Sequence, residues 1–463
     1  MRAQTRRAFA ASLKCQQEGF QSVPKHIVLA YSGGLDTSVM IHWLQTHHKA
    51  KVTAALLDLG QGKAAIDEAG ARAKANGAEH FIVLPAKEEF ANDFLAPAIR
   101  ANAMYEGVYP MATAIGRPLI AKKLVEAVQA VGGDAVAHGC TGKGNDQVRI
   151  EAGVKALMPG LVCLAPQRSH PMTRVATVEY ATKHKLQVPQ LKRSTYSTDE
   201  NLWGRSIEGG DTEDPAHAVH EDAYLWTVSP QKAPNTPTTM ELQFHGGIPV
   251  KLNGKALPLW DLVAQVGSIA GANGVGRIDH VENRLVGIKS REIYEAPAAM
   301  TVLFAKRALE ALTLTKEEMK FKPALEQKFS ENVYDGLWFA PVMKSIRAAL
   351  DTIQENVTGT VKLQLYKGNV SLLGRTSPLS LFKDNLATYG TKDSFNHQAS
   401  EGFIEIWSLP TETANAVRQG QVKPTGQKTL EATFKAPKNG HGAKPKPPAT
   451  GKGKSTLTVK AKK

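Results

Sequence analysis

A glycine-containing loop stands near the amino end of the sequence, in the run Ser32–Ser38 (SGGLDTS). Glycine lets the backbone approach an anion closely, and the free N–H groups at a helix start attract phosphate. Asp36 would repel a phosphate unless a cation lies between them, a role that suits Mg²⁺. The loop therefore predicts binding of pyrophosphate with Mg²⁺. The alternative is a tight turn in which Asp36 caps the helix.

A second polar run, Gly139–Arg149 (GCTGKGNDQVR), holds three glycines beside amide, carboxylate, lysine and arginine groups. Asp146 and Arg149 are three residues apart and could share one face of a helix. Such a set suits a substrate that carries both an ammonium and a carboxylate group. The alternative is a solvated loop with an ion pair inside the following helix. Cys140 has no evident base partner in the sequence, which favours a structural role for it.

Two further runs are weaker signals on their own. The polar run 196–210 (YSTDENLWGRSIEGG) ends in glycines and would by itself favour a plain linker between domains. The run 274–295 is dense in charged residues, which usually indicates a solvated surface.

The elements around these motifs alternate between short apolar strands and amphipathic helices. Strands are predicted at 27–30, 52–59, 81–84, 135–137 and 161–164, with helices that include 64–76, 88–104 and 118–131. This alternation predicts an α/β fold with a parallel sheet and helices on both faces. The first two motifs each follow a strand, so they should meet at the carboxyl edge of the sheet.

The pattern changes after about residue 190. Strands are predicted at 239–244, 249–252, 300–304 and near 361–373, and helices at 305–313 and 341–354. This mixture predicts a second domain of α+β type. The final segment is rich in Lys, Pro and Gly and lacks the apolar residues that a folded core needs.

The net charge of +14 is concentrated at the two ends of the chain. Residues 1–25 carry five basic residues and one acid, and residues 421–463 carry eleven lysines and one acid, so residues 26–420 are formally neutral. A basic groove for specific nucleic-acid binding in the folded body is therefore not expected. Three cysteines indicate a reducing compartment rather than a disulfide framework, and no apolar run is long enough to span a membrane.

The motifs together resemble those of a known family. The SGGLDTS loop is similar to that of the PP-loop, or N-type, ATP pyrophosphatases. AYSGGLDTS, TGKGNDQVR, YSTDENLWGRSIEGG, GVGRID, VENR, KSREIYEAPA and SPLSLF occur in the order seen in argininosuccinate synthases. The resemblance covers roughly residues 26–419. A runner-up is another adenylating PP-loop enzyme, such as a tRNA-modifying ligase, against which the neutral body argues.

The resemblance implies a fold and an activity. We expect a Rossmann-like parallel-sheet nucleotide-binding domain (26–190), an α+β synthetase domain (191–400) and a C-terminal oligomerisation segment (401–420, with 410–419 as the helix that crosses between subunits). An unstructured extension (1–25) and a disordered basic tail (421–463) flank them. It further implies ligation of citrulline and aspartate through citrullyl-AMP, with ATP and Mg²⁺, by a cytoplasmic homotetramer without membrane or specific nucleic-acid partners.

The resemblance also assigns site residues. The expected ATP contacts are Ala30, Tyr31, Ser32, Gly33, Gly34, Leu35, Asp36, Thr37, Ser38, Leu57 and Gly139. The expected aspartate contacts are Thr113, Thr141, Asn145 and Asp146, and the expected citrulline contacts are Tyr109, Asn145, Arg149, Ser197, Ser206, Glu282 and Tyr294. Asp36, Asp146 and Arg149 are the expected catalytic residues, and no side-chain metal site is expected. Two positions depart from the family pattern: Ala114 replaces a serine and Glu292 replaces a glycine.

Overall fold

The amino-terminal strands form one parallel sheet, which confirms the predicted fold class. In this computed structural model the strands are β1 (His26–Ala30), β2 (Lys51–Asp58), β3 (His80–Pro85), β4 (Ala135–Ala137) and β5 (Val162–Leu164). They pair in the order β3-β2-β1-β4-β5. Because the order reverses between β1 and β4, the loops that follow these two strands lie side by side at the carboxyl edge, where open α/β sheets bind ligands.

Helices cover both faces of this sheet. They are α1 (Leu35–His48), α2 (Lys63–Ala75), α3 (the consecutive pieces Lys87–Glu89, π-helical Phe90–Leu95 and Ala96–Arg100), α4 (Ala112–Val131), α5 (Asp146–Leu157), α6 (Pro166–Ser169) and α7 (Arg174–Lys183). Successive side chains of β1 point to opposite faces. Leu29 packs in one core with Met40 of α1, and Val28 packs in another with Leu124 of α4.

Residues 23–59, 63–189 and 196–421 are the part of the chain that the structure describes. The chain divides into two compact units between Asp384 and Asn385. The predicted extension and basic tail fall almost wholly outside the described residues. The predicted domain boundary at 190/191 lies in the segment 190–195, which is also not described, so that boundary stays a prediction.

Two antiparallel sheets follow in the first unit. Their strands are β6 (Ser197–Asn201), β7 (Gly204–Glu208), β8 (Thr238–His245), β9 (Ile248–Leu252), β10 (Lys255–Ala256), β11 (Arg277–Asn283), β12 (Lys289–Glu295), β13 (Gly359–Tyr366) and β14 (Asn369–Thr376). One sheet has the order β11-β12-β7-β6 and the other has the order β10-β9-β8-β13-β14. The helices among them are α8 (Leu259–Ala272), α9 (Pro297–Thr313), α10 (Lys316–Tyr334) and α11 (Pro341–Gln354).

Helix α4 joins the parallel sheet to the four-stranded antiparallel sheet. Its first half, with Ala114 and Ile115, packs in a core shared with Trp203 and Tyr294. Its second half packs under the parallel sheet. The prediction that this helix begins at residue 118 is wrong, because residues 112–117 are also helical and 112–116 are buried. The preceding helix ends at Arg100 rather than 104, since Asn102 has a φ of +44°.

The strand predicted at 300–304 is also wrong, because these residues lie inside α9. Met300–Phe304 has the apolar, partly β-branched composition of a strand when it is read alone. Pro297 starts a helix instead, and Ala298, Val302 and Leu309 recur on its buried face. The period of burial over seventeen residues outweighs the local strand preference.

The run read as a plain linker is a β-hairpin made of β6 and β7. Trp203 at its turn is buried and its Nε1 donates a hydrogen bond to the carbonyl of Pro110 over 3.0 Å. Asn201 donates to the carbonyl of Ala112 over 2.7 Å. These contacts hold the hairpin against the start of α4, where a linker would have had no such anchors.

The second unit contains α13 (Ala399–Arg418), preceded at the unit boundary by the short helix α12 (Asp384–Ala387). None of the residues of α13 is buried. This helix spans most of the predicted oligomerisation segment. Its large apolar side chains Phe403, Ile404, Ile406 and Trp407 are exposed.

Candidate active site

The loop after β1 is held tightly against α2. Gly33 has a φ of +76°, and a Cβ atom there would lie 2.8 Å from the Cβ of Ala69. Arg72 donates a hydrogen bond to the Gly33 carbonyl over 3.2 Å. The hydroxyl of Tyr31 donates to the Ala69 carbonyl over 3.1 Å. Only glycine fits at position 33 without moving α2, so the shape of the loop depends on this residue.

The amino end of α1 is open to an anion. Gly34 is the N-cap residue and no side chain caps the helix. The Ser32 hydroxyl accepts a hydrogen bond from the Gly34 N–H over 3.3 Å and lies 3.1 Å from the Thr37 hydroxyl. Uncapped N–H groups and the positive end of the helix dipole favour a phosphate at this position. The alternative in which Asp36 caps the helix is wrong, because Asp36 lies inside the first turn.

Asp36 faces α7. Desolvation raises the pKa of its carboxyl, while Arg174 and Thr177 of α7 oppose that rise. Its negative charge is therefore partly compensated by the protein itself. The repulsion between Asp36 and a bound phosphate is weaker than the sequence alone suggests.

The loop after β4 lies against the first turn of α1. A Cβ atom on Gly139 would lie 3.4 Å from Cγ2 of Thr37. Ala30 at the end of β1 pairs with Ala55 of β2, and Leu57 follows two residues later at the carboxyl end of that strand. The expected ATP residues are thus brought to one edge of the sheet.

A cavity of about 240 Å³ opens beside this edge. It is lined by ten of the residues expected from the sequence: Tyr109, Thr113, Gly139, Thr141, Asn145, Asp146, Arg149, Ser206, Glu282 and Tyr294. Ser197 is exposed and does not line it, although its backbone pairs with that of Glu208 in the β6–β7 hairpin. The loop after β4, the helices α5 and α4, and the four-stranded antiparallel sheet all contribute to the cavity.

Asp146, at the start of α5, carries two ion pairs. Its Oδ2 lies 2.7 Å from Nη2 of Arg117, and its Oδ1 lies 3.0 Å from Nη1 of Arg149. Burial opposes ionisation, but the charges of both arginines outweigh it and hold the pKa of Asp146 well below its usual range. Arg117 also contacts Asp199 of β6. Asp146 is therefore a fixed negative charge in the cavity.

Arg149 is 4% exposed and keeps a free donor. Its Nε donates to the Tyr334 carbonyl over 2.8 Å, and its guanidinium lies 4.5 Å from the centroid of the Tyr334 ring. Nη2 is buried and has no hydrogen-bond partner among the described residues. A buried guanidinium N–H without a partner is costly, and a ligand carboxylate would satisfy it.

Glu282 is held by two tyrosines. Tyr294 and Tyr334 each donate a hydroxyl hydrogen bond to it over 2.6 Å. Desolvation raises the pKa of Glu282, and these two hydrogen bonds oppose the rise. The ring of Tyr109 stacks on Tyr294 with centroids 4.0 Å apart. The result is a rigid wall with oxygen acceptors on one side of the cavity.

The sequence matches two family models and several relatives of known name. Residues 26–187 match the family described as Arginosuccinate synthase N-terminal HUP domain, and residues 196–414 match Arginosuccinate synthase C-terminal domain. Argininosuccinate synthase from Rubrobacter xylanophilus is 51% identical over 386 residues, which is 83% of this chain and 94% of the relative. The Geobacillus kaustophilus enzyme is 51% identical over 403 residues, which is 87% and 99%. The chain belongs to the argininosuccinate synthase family.

A solved structure, the NH3-dependent NAD synthetase from Campylobacter jejuni, is more distant. It is 16% identical, with a TM-score of 0.26, and the match covers 39% of this chain and 72% of that chain. At that similarity it carries no argument about the site.

The cavity of this argininosuccinate synthase family member is also lined by charged residues that the sequence did not assign to the site, namely Glu208, Arg284 and Glu292, and Arg117 pairs with Asp146 without lining the cavity itself. Glu292, the departure from glycine, is buried and accepts hydrogen bonds from Arg284 over 2.5 Å and from Ser290 over 2.8 Å. Ser206 and Glu208 have the spacing of one strand face, which was an available signal for Glu208. Arg117 gave no local signal, because its partners lie 29 and 82 residues away.

Cys140 and Ala114 were both singled out in the sequence, and the structure shows where each one lies. Cys140 lines the cavity, and desolvation together with the charge of Asp146 raises the pKa of its thiol to about 12. Such a thiol is a poor nucleophile, which agrees with a structural role. Ala114, the departure from serine, is fully buried in the core and does not line the cavity, whereas the adjacent Thr113 does.

Proposed function

We propose that this protein joins L-citrulline and L-aspartate to form argininosuccinate. ATP activates citrulline as citrullyl-AMP, and AMP and pyrophosphate are released. The observation that carries the proposal is the contact between the anion-ready loop at Gly33–Thr37 and the loop at Gly139, beside a cavity with a free Arg149 donor and an ionised Asp146. An enzyme that adenylates a zwitterionic amino acid needs these features together.

We assign ATP to the carboxyl edge of the parallel sheet. The open N-terminus of α1 and the hydroxyls of Ser32 and Thr37 would receive the pyrophosphate. Among the described residues, no group of three or more His, Cys, Asp or Glu side chains could hold a metal ion. Mg²⁺ is usually bound through one or two carboxylates plus substrate phosphates, so Asp36 is the proposed protein contributor. Mg²⁺ would neutralise phosphate charge there.

The amino-acid substrates are assigned to the cavity. Arg149 would bind the citrulline carboxylate with its free N–H group. Glu282 and Ser206 offer acceptors for the other end of that molecule. Asp146, with Thr141 and Asn145, would receive aspartate.

The reaction depends on positioning of the substrates and stabilisation of charge more than on covalent catalysis by the protein. The ureido oxygen of citrulline is a poor leaving group, and its attack on the α-phosphorus of ATP makes it a good one. The amine of aspartate then attacks the ureido carbon and AMP leaves. Fixed groups such as Asp146 and Arg149 lower the barrier because they need no reorganisation during the reaction.

An isotope experiment tests the function. With oxygen-18 in the ureido group of citrulline, we expect the label in AMP and argininosuccinate formation that requires ATP, citrulline and aspartate together. ATP cleavage that ignores citrulline would refute the proposal. Turnover stimulated by tRNA instead would point to the tRNA-modifying members of the PP-loop superfamily.

We further propose a homotetramer that works in the cytoplasm. The exposed apolar side chains of α13 support assembly with further copies of the chain. Cys140 and Cys163 are free, which suits a reducing compartment. No helix of the described residues is long and apolar enough to cross a membrane.

A further inference from the structure

Four carboxylates line the substrate cavity: Asp146, Glu208, Glu282 and Glu292. Three of them already have hydrogen-bond or ion-pair partners in the protein. Asp146 is paired with two arginines, Glu282 accepts from two tyrosines, and Glu292 accepts from Arg284 and Ser290.

Glu208 is the exception. Its closest cation is Nη2 of Arg284 at 3.7 Å, beyond hydrogen-bond distance, and no group of the described residues donates a hydrogen bond to its carboxylate. Its side chain is 52% exposed, and it lines the cavity. It is therefore the cavity carboxylate that is free to accept a proton from a ligand.

The position of Glu208 is fixed by β7. Side chains two residues apart on a strand point to the same face, so Glu208 follows Ser206 toward the cavity, while Ile207 points to a separate apolar cluster. Glu208 thus lines the same cavity as the residues assigned to citrulline and to aspartate.

We propose that Glu208 is the general base that takes a proton from the aspartate ammonium before that nitrogen attacks citrullyl-AMP. The assignment rests on the proposed function. It concerns only the second half-reaction, because the first uses a ureido oxygen that needs no deprotonation to attack phosphorus.

Attack of the ureido oxygen on ATP leaves a protonated isouronium, which releases one N–H proton to solvent and gives the neutral isourea form of citrullyl-AMP; the step balances from that form. One proton moves from the aspartate ammonium to the Glu208 carboxylate. The freed lone pair forms the N–C bond, and the C–O bond to AMP breaks with its electron pair on the oxygen. A second N–H proton passes from the attacking nitrogen to the imine nitrogen, which leaves argininosuccinate as a guanidinium.

The surroundings give Glu208 a suitable basicity. The charged groups around it are Glu292, Arg284, Asp146 and Asp199. Desolvation and the charge of Glu292 raise the pKa of Glu208 to about 7, while Arg284 opposes them. A base with this pKa is ionised above neutral pH and protonated below it, so the second half-reaction should slow as the pH falls through about 7.

The substitution Glu208→Gln tests the assignment by separating the half-reactions. Adenylation is followed by citrulline-dependent positional isotope exchange in oxygen-18-labelled ATP without aspartate, and ligation by argininosuccinate formation. We expect exchange within a few-fold of wild type and a fall in ligation kcat of about 10²- to 10⁴-fold. The acidic limb of the pH–kcat profile should disappear. Glu213→Gln, at an exposed position outside the cavity, is the matched control and should behave as wild type.

Hydroxylamine, which is largely unprotonated at neutral pH, supplies a nucleophile that needs no base. AMP release with hydroxylamine in place of aspartate should therefore be similar in Glu208→Gln and wild type. A raised KM for aspartate with unchanged kcat and an unchanged pH profile would show that Glu208 only binds the ammonium, and would overturn the proposal. A second outcome would also overturn the proposal. In it, Glu208→Gln loses both isotope exchange and ligation, and added formate does not restore ligation to Glu208→Ala. Wild-type protein without citrulline-dependent exchange would refute the proposed function itself.

Discussion

Asp36 carries its charge at the edge of an anion-ready loop, yet it faces Arg174 and Thr177 on α7. Its negative charge therefore serves two neighbours at once. It balances an arginine of the protein, and it is the carboxylate nearest in sequence to the proposed pyrophosphate position. A substitution that keeps its shape and removes its charge separates these roles.

We expect Asp36→Asn to lower the adenylation rate by about 10- to 100-fold, the usual cost of losing a supporting ligand at a metal-dependent site. The measurement is citrulline-dependent pyrophosphate release, with Asp93→Asn on the exposed face of α3 as the control. An unchanged rate with a lower Tm would give Asp36 a structural role only.

Some contacts of single residues could be predicted from the sequence and others could not. Asp146 and Arg149 could be paired in advance because they lie one helical turn apart. Arg117 could not, because Asp146 and Asp199 reach it from separate elements. Most of the substrate residues matched to family motifs line the cavity, whereas the ion pairs of Arg117 and Arg284 could be found only from the fold.

At the scale of elements, the end of β12 organises the loop that follows the β6–β7 hairpin. Glu295 is fully buried and lies 2.7 Å from Nη1 of Arg205 on β7. Its carboxylate also accepts from the N–H groups of Leu225, Trp226 and Thr227 and from the Thr227 hydroxyl. One side chain thus joins two strands and a loop.

We expect Glu295→Ala to reduce the free energy of unfolding by about 3–5 kcal/mol, because it leaves the buried Arg205 charge without its main partner. Thermal and urea unfolding measure this change. Glu241→Ala removes the half-exposed ion pair with Lys362 and should cost at most about 1 kcal/mol. Equal effects of the two substitutions would contradict the role given to Glu295.

Elements were predictable where their burial pattern was simple. The apolar strands of the parallel sheet follow directly from runs such as Ile27–Leu29. The β6–β7 hairpin could not be predicted in this way. Its side chains bind partners that lie far away in the sequence: Asp199 pairs with Arg117, and Trp203 donates to the Pro110 carbonyl. The segment 300–304 failed for the opposite reason, since its strand-like composition serves a buried helix.

At the scale of the whole molecule, charge and apolar surface point to different partners. The net charge of +14 resides in residues 1–25 and 421–463, so residues 26–420 are formally neutral. Helix α13 offers apolar surface instead. Phe403 and Trp407 lie one turn apart with their rings 5.5 Å apart, and both are mostly exposed. Such a patch on a helix without a buried residue is a surface that another copy of the chain could cover.

We therefore expect Trp407→Glu to shift the proposed homotetramer toward smaller species in light-scattering chromatography. A glutamate buried in an apolar contact between copies would be desolvated without a partner, which costs several kcal/mol per copy. A chain that ends at Gln421 removes the basic segment and keeps α13, so it should retain both the wild-type assembly and the wild-type kcat. A monomeric wild-type protein, or a Trp407→Glu variant with an unchanged mass, would show that α13 does not hold the copies together.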